Sequence, residues 1–158
     1  MRPETFEAFL VQRCRRTPAV QRVRTFEEAG DLRHPYGLVV TVDGHETRWH
    51  IVGQIAAGED HDVPAPPVQG RPAAYTPTRA GTDDDWLAAV IAAGESPEIQ
   101  QIKVWSASPR AQPGHVGLTV RFHNGQRAFI RKLLPGGSFV ALGVAQVQLE
   151  RTGHQDGQ

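Results

Sequence analysis

The chain of 158 residues has little cysteine and no excess of charge of either sign. Its single cysteine, Cys14, cannot form an internal disulfide, so we expect a cytoplasmic setting in which this thiol is a small core residue of a helix. The 17 basic and 17 acidic residues cancel, which excludes a global field that would draw the protein to nucleic acid or to an acidic membrane. Any such binding would have to be local.

Long apolar runs are also missing. No stretch of about 18 apolar residues occurs, and the first residues lack the apolar segment of a secretory signal, so we expect neither membrane spanning nor secretion. The sequence contains no nucleophile elbow and no phosphate-binding loop. We therefore expect no catalytic residue and no cofactor, although an enzyme of unknown class stays as an alternative.

What the sequence does contain is an internal repeat. Residues 17–26 and 96–105 match at a constant offset of 79, and seven of the ten positions are identical or chemically similar. The match continues between residues 36–42 and 116–122 at an offset of 80. Because the two offsets are nearly the same, we interpret the chain as two tandem copies of one unit.

The elements predicted for each copy come in the same order. Asp43-Gly44 and Asn124-Gly125 both tolerate the positive φ angles of a type I′ turn between two alternating apolar strands. Upstream, a Thr-Pro or Ser-Pro pair ends a helical pattern in each copy. The apolar face of the first helix consists of Phe6, Phe9, Leu10 and Cys14, and that of the second of Trp86, Leu87, Val90 and Ile91.

These elements predict an α+β fold. Two helix-strand-hairpin repeats related by a pseudo-twofold axis would share a mostly antiparallel sheet of six or more strands, with both helices on one face. Two small separate lobes are the alternative. We expect one duplicated domain with a disordered tail: domain 1–150, divided into repeat one 3–56, a proline-rich linker 57–81 and repeat two 82–150, followed by the tail 151–158.

One segment and one resemblance stay open. Residues 138–149 fit a strand and, almost as well, a helix. The order of elements is similar to that of families built from doubled helix-and-hairpin units, among them regulators that hold small ligands between their halves and the saddle-shaped TATA-binding fold. The sequence contains no motif of either family, and we assign it to none.

Basic and aromatic residues alternate on the first strand of each copy. Arg22, Arg24 and Phe26 fall on one face in the first copy, and Gln101, Lys103 and Trp105 do so in the second. Cations and rings interleaved on a sheet are typical of surfaces that bind single-stranded nucleic acid. Because the net charge is zero, we favour an ordinary solvated face over a nucleic-acid site.

A second basic set lies on the last hairpin. Arg121, Arg127, Arg131 and Lys132 are close in sequence, and together with Lys103 they would form a local patch for an anionic ligand. The alternative is that they are solvated hairpin charges.

Metal binding is not expected. His45 and His50 are five residues apart on one predicted strand, which directs them to opposite faces. The acidic loop 59–62 fits a simple solvated loop, and the three aspartates 83–85 are explained by the start of a helix, whose positive end they suit.

The sequence thus favours a non-enzymatic binding or protein-interaction module with its site between or on the two repeats. Loops 27–35 and 106–114 are expected to rim that site. We expect a protein or a small anionic ligand rather than nucleic acid, and no membrane. Pairing of hairpin edges would give a homodimer, although no residue specifies one. The candidate ligand-binding residues are Arg22, Arg24, Phe26, Lys103, Trp105, Arg121 and Arg131.

Overall fold

The computed structural model describes residues 1–78 and 81–134. The segment 138–149, which the sequence left open between strand and helix, lies outside the described residues. So does the tail 151–158, which was expected to be disordered.

The described residues contain two α-helices and six strands, in the order helix, three strands, helix, three strands. They are α1 (Pro3–Arg15), β1 (Val20–Thr25), β2 (Gly37–Val42), β3 (His45–Gln54), α2 (Asp83–Ala92), β4 (Ile99–Val104), β5 (Gly117–Phe122) and β6 (Arg127–Leu133). A 3₁₀ turn at Trp105–Ala107 follows β4 directly.

All six strands form one sheet in the spatial order β1-β2-β3-β6-β5-β4, and each neighbouring pair is antiparallel. This confirms the prediction of an α+β fold with two helices and a six-stranded antiparallel sheet. Strands β3 and β6 meet at the centre, from the pair Arg48 and Leu133 to the pair Gln54 and Arg127. Strands β1 and β4 are the two edges.

Both helices pack on the same face of the sheet. Helix α1 lies against β1, β2 and β3, and α2 lies against β4 and β5. The ring of Phe6 on α1 meets that of Phe122 on β5 edge-on at 5.6 Å, so one core draws on both halves of the sheet. Neither of these helices has the length and apolar character needed to cross a bilayer.

Helix α1 follows the predicted pattern closely. It begins at Pro3, where a missing N–H costs nothing, and Glu4 suits the positive end of the helix dipole. Phe6, Leu10 and Cys14 are fully buried, whereas Phe9 is only partly buried. Burial raises the pKa of the Cys14 thiol to about 11, so this thiol stays protonated at neutral pH, as a core residue should.

The aspartate at the second position of α2 does more than begin a helix, so the explanation from the sequence was incomplete. Asp84 is fully buried and accepts hydrogen bonds from the N–H of Ser106 (3.0 Å), its hydroxyl (2.6 Å) and the N–H of Gly117 (3.1 Å). On α1, the carboxylate of Glu7 likewise accepts the N–H of Gly37 (2.9 Å). Each helix therefore fixes the glycine that begins the second strand of its half.

The two neighbouring aspartates also make tertiary contacts. Asp85 accepts hydrogen bonds from the hydroxyl of Tyr75 and from the N–H of Thr78 (2.9 Å). Asp83 forms an ion pair with Lys132 at 2.6 Å. The acidic run thus fastens α2 to the connection that precedes it and to the central strand β6.

The hairpin turns differ between the two halves. Asp43-Gly44 has φ angles of 50° and 78°, as a type I′ turn requires. In the second hairpin the N–H of Phe122 donates to the carbonyl of Gln126 (2.9 Å), and Gly125 alone of the turn has a positive φ, of 93°. That geometry fits a type I turn followed by a glycine bulge. The prediction of a type I′ turn at Asn124-Gly125 was therefore wrong, because the connection is one residue longer.

Part of the proline-rich segment runs beside the edge strand β4. The N–H of Gly70 donates to the carbonyl of Pro97 (2.8 Å), and that of Ala73 donates to the carbonyl of Ile99 (3.0 Å). This segment therefore covers part of an edge that would otherwise present open hydrogen-bonding groups.

We expect Asp84→Asn to destabilise the fold at neutral pH and to matter less in acid. Burial alone raises the pKa of Asp84, but the hydrogen bonds from Ser106, Thr82 and Gly117 outweigh it and hold the pKa below the usual 3.8. Such a carboxylate contributes stability above its unfolded-state pKa and loses it as the pH falls through the lower folded-state value. Urea unfolding should show a loss of about 1–3 kcal/mol at neutral pH, shrinking below pH 3.8.

The control is Asp83→Asn, which breaks only the more exposed pair with Lys132 and should change stability by about 0–1 kcal/mol. A loss for Asp84→Asn that stays constant from neutral pH into the acid range would contradict the role given to its charge.

Candidate functional site

A single row of residues crosses the whole helix-free face of the sheet. The strand register places one residue of each inner strand side by side, and an aromatic residue just beyond each edge strand completes the row. In spatial order the row is Phe26, Gly37, His50, Arg131, Gly117 and Trp105.

The rings of Phe26 and Trp105, at the two ends of this row, each pack closely against the neighbouring glycine. A Cβ added to Gly37 would come within 2.3 Å of the Phe26 ring, and one added to Gly117 would come within 2.5 Å of the Trp105 ring. No side chain larger than hydrogen fits at either position. The two glycines therefore set how deeply the rings sit in the sheet face.

An open cleft of about 700 Å³ lies over the middle of this face. The apolar part of its lining consists of Val52, Phe129 and Leu133 from the two central strands. Polar and ring groups complete the wall: His34, His50, Trp105, His115 and Arg131. The cleft is thus a mostly apolar surface with three imidazoles and one guanidinium.

The wall on the β1–β2 side is a hydrogen-bonded cluster. The carboxylate of Asp31 contacts Nδ1 of His34 at 3.0 Å and accepts a hydrogen bond from Arg48 at 3.0 Å. The guanidinium of Arg48 also covers the ring of Phe26, 5.1 Å from its centroid. Burial alone raises the pKa of Asp31, but the hydrogen bonds from His34, Arg33 and Arg48 outweigh it and lower that pKa to about 2. Asp31 is therefore a permanent anion that orients the wall.

His50 stands between this wall and the centre of the cleft. Its ring lies 4.4 Å from that of His34, measured between centroids, and its strand neighbour is Arg131. Burial, then the nearby His34 and Arg131, lower the pKa of His50 to about 4, with Asp31 opposing. The imidazole of His50 is consequently neutral at physiological pH.

The wall on the β4–β5 side is a stacked pair of rings. The rings of Trp105 and His115 are nearly parallel, with a 10° angle and 4.6 Å between centroids. The indole N–H of Trp105 donates to the hydroxyl of Thr119 at 2.8 Å, which fixes the orientation of the indole. The residues at both ends of the cleft therefore have their rings held in place by a polar contact.

Only some of the predicted site residues lie in the cleft. Trp105 and Arg131 line the cleft together. Phe26 is fully buried, beneath Arg48 and beside Val39 and Leu133, so its ring is not exposed to the cleft in this structure. Alternation assigned Phe26 to the correct face, but the glycine below and the arginine above enclose it.

The remaining predicted residues lie outside the cleft lining. Arg22 and Arg24 are on the edge strand β1, where Arg24 pairs with Glu46 at 3.3 Å. Lys103 and Arg121 are exposed on β4 and β5, opposite Thr119 and Gln101 respectively. The cleft is therefore not the continuous basic face that the alternating pattern indicated.

Sequence reasoning did not identify the three cleft histidines as site residues. For two of them, the position shortly before a strand-starting glycine could have indicated a role. His34 and His115 each precede the glycine that begins a second strand, by three and two residues. His34 falls in the predicted rim loop 27–35, and His115 lies one residue beyond the loop 106–114. His50 was weighed only as a partner for His45. Within residues 1–78 and 81–134, no group of three or more His, Cys, Asp or Glu could hold a metal ion.

No protein-family model matches the chain, and comparisons with curated proteins and with solved structures find no match either. The function is therefore argued from the geometry of the cleft.

We expect Gly117→Ala to displace Trp105 and to destabilise the fold. The added methyl group would overlap the indole ring and would also lie 2.4 Å from the carbonyl of Ile130, which belongs to the sheet and cannot move freely. Overpacking of this kind costs about 1–3 kcal/mol. Urea unfolding measures the loss, and the NMR signal of the Trp105 indole N–H should shift as its bond to Thr119 is disturbed.

Gly94→Ala is the matched control, since its Cβ would approach the flexible side chain of Arg13 as its nearest neighbour, at 2.8 Å. Equal losses for the two variants would contradict the tight fit at Gly117.

We expect the imidazole of His50 to titrate near pH 4 in an NMR titration and to move towards the usual 6.5 in Arg131→Ala. Because the folded protein keeps His50 neutral while the unfolded chain binds a proton, this residue should lower stability as the pH falls from 6.5 towards 4. Titration of His50 near pH 6.5 in the unaltered chain would contradict the described environment.

Proposed function

We propose that the chain is a non-enzymatic binding module that holds a small, largely apolar molecule on the helix-free face of its sheet. The observation that supports this is the cleft of about 700 Å³ with Val52, Phe129, Leu133 and Trp105 in its lining. Ligand sites have volumes of about 300–1,000 Å³ and combine an apolar wall with a few oriented polar groups. Asp31 orients the imidazole of His34 and Thr119 orients the indole of Trp105, so these polar groups are in place without a ligand.

A binding role fits the cleft chemistry better than catalysis does. The residues that line the cleft include no serine, cysteine or carboxylate that would act as a nucleophile or a base. The pKa of His50, lowered to about 4, is too far below neutral for efficient proton transfer at physiological pH. These features favour a module that retains its ligand unchanged.

A small molecule also fits better than nucleic acid. Stacking of successive bases needs exposed rings along a cationic track. Of the two rings in the alternating pattern, that of Phe26 is buried. Of the cations in that pattern, Arg24 is already paired with Glu46. Single-stranded nucleic acid therefore stays as the alternative to a compact ligand.

We further propose that the two halves arose by duplication and are related by a pseudo-twofold axis between β3 and β6. The spatial order β1-β2-β3-β6-β5-β4 reads the same when the halves are exchanged. The first strand of each half has a register shift near its start, at Val20 to Arg22 and at Ile99 to Gln101. Such an axis would pass through the cleft, in agreement with a site between the repeats.

A cytoplasmic setting is part of the same proposal. It is supported by Cys14, which is buried and, as the single cysteine of the sequence, has no second cysteine with which to form an internal disulfide.

The test is binding of N-phenyl-1-naphthylamine, a neutral aromatic probe whose fluorescence rises in apolar sites. We expect saturable binding to the unaltered chain and a loss of affinity of at least about tenfold in Val52→Glu, which places a charge in the apolar part of the cleft. Fluorescence titration measures both.

Val68→Glu is the matched control, because both valines are 47% exposed and Val68 is not in the cleft lining. Absence of probe binding, or equal weakening in the two variants, would show that the cleft is not a small-molecule site. Thermal unfolding of both variants checks that the fold is intact.

A further inference from the structure

A second cavity adjoins the cleft and has a different character. It has a volume of about 710 Å³ and lies between the loop before β5 and the end of β6. It shares His115, Arg131 and Leu133 with the cleft, so the two spaces lie side by side at these residues. Its basic lining residues are Arg110, Arg131 and Lys132, and none of its lining residues is acidic. We call this second space the basic cavity.

Arg131 stands where the cleft and the basic cavity meet. Within the described part of the chain its guanidinium makes no hydrogen bond and no ion pair. Its strand neighbours are His50, which is neutral at physiological pH, and Gly117, which has no side chain. No carboxylate on either adjacent strand position neutralises this cation, so its hydrogen-bonding capacity is available to a ligand.

The other two cations of the basic cavity differ from each other. Lys132 is already paired with Asp83 at 2.6 Å. The side chain of Arg110 is exposed and, like that of Arg131, makes no hydrogen bond or ion pair with a described residue. Two guanidiniums therefore face this space without an acidic partner, which is the charge arrangement that an anionic group requires.

We infer that the ligand is a planar aromatic anion: its ring system occupies the cleft beside Trp105 and Phe129, and its negative group reaches into the basic cavity to Arg131 and Arg110. This inference rests on the proposed function, because it needs the cleft to be a ligand site. Aromatic walls favour flat rings, and a guanidinium binds carboxylate, sulfonate or phosphate oxygens through two parallel hydrogen bonds.

The inference is tested with two probes that share their rings and differ in charge. 8-Anilinonaphthalene-1-sulfonate carries a sulfonate on the ring system of the neutral N-phenyl-1-naphthylamine. We expect Arg131→Ala to weaken binding of the sulfonate probe about tenfold more than binding of the neutral probe, because only the sulfonate loses a charge-assisted hydrogen bond. Arg110→Ala should act in the same direction.

The control variant is Arg127→Ala, which removes an arginine from the same strand and the same sheet face, four residues away and outside both cavities. It should change the affinity of neither probe. Displacement of the sulfonate probe by 1-naphthoate and by 1-naphthyl phosphate then shows which anionic group is preferred, and 1-naphthalenemethanol, which is neutral, should displace it least.

The outcomes separate this inference from the proposed function. If the neutral probe binds but Arg131→Ala weakens both probes equally or neither, the cleft is a ligand site and the assignment of an anionic ligand is wrong. If neither probe binds the unaltered chain, the proposed function itself is wrong. Selective loss of the sulfonate probe in Arg131→Ala, with Arg127→Ala unaffected, supports the inference.

Discussion

The pairing of β3 with β6 is the interaction on which the rest of the structure depends. It joins two three-stranded sheets into one, so that a single core under both helices replaces two cores too small to be stable alone. The same pairing creates the cleft, since it sets His50 beside Arg131 and Val52 beside Phe129. The register also decides the chemistry, because a shift by one residue would turn these side chains to the other face.

The position of each aromatic wall depends on a chain of smaller constraints. A carboxylate on each helix, Glu7 or Asp84, accepts the N–H of a glycine, and an aromatic ring packs closely against that glycine. The helix face and the open face are therefore mechanically linked through the backbone of Gly37 and Gly117. The outcome differs between the halves because Arg48 covers Phe26, whereas Trp105 stays accessible beside His115.

Local sequence signals predicted the elements well and the site only partly. The 3.6-residue pattern of Phe6, Leu10 and Cys14 and the Asp43-Gly44 turn depend on short-range chemistry, and both appear in the structure as expected. Phe26 shows the limit of such reasoning: alternation gives the face of a residue but not what lies above it. His34 and His50 meet only because the loop before β2 folds back over β3, which no local pattern encodes.

The sequence by itself determined an α+β chain with two helices, apolar helix faces and strands ending in glycine turns, because these follow from periodicity and backbone preference within a few residues. Only the tertiary structure decided that β3 and β6 pair, that Phe26 is enclosed and that Arg131 is left without an acidic partner in the described residues. The physical reason is that burial and charge pairing depend on residues from distant parts of the chain, such as His50 and Arg131, which are brought together only when the sheet forms.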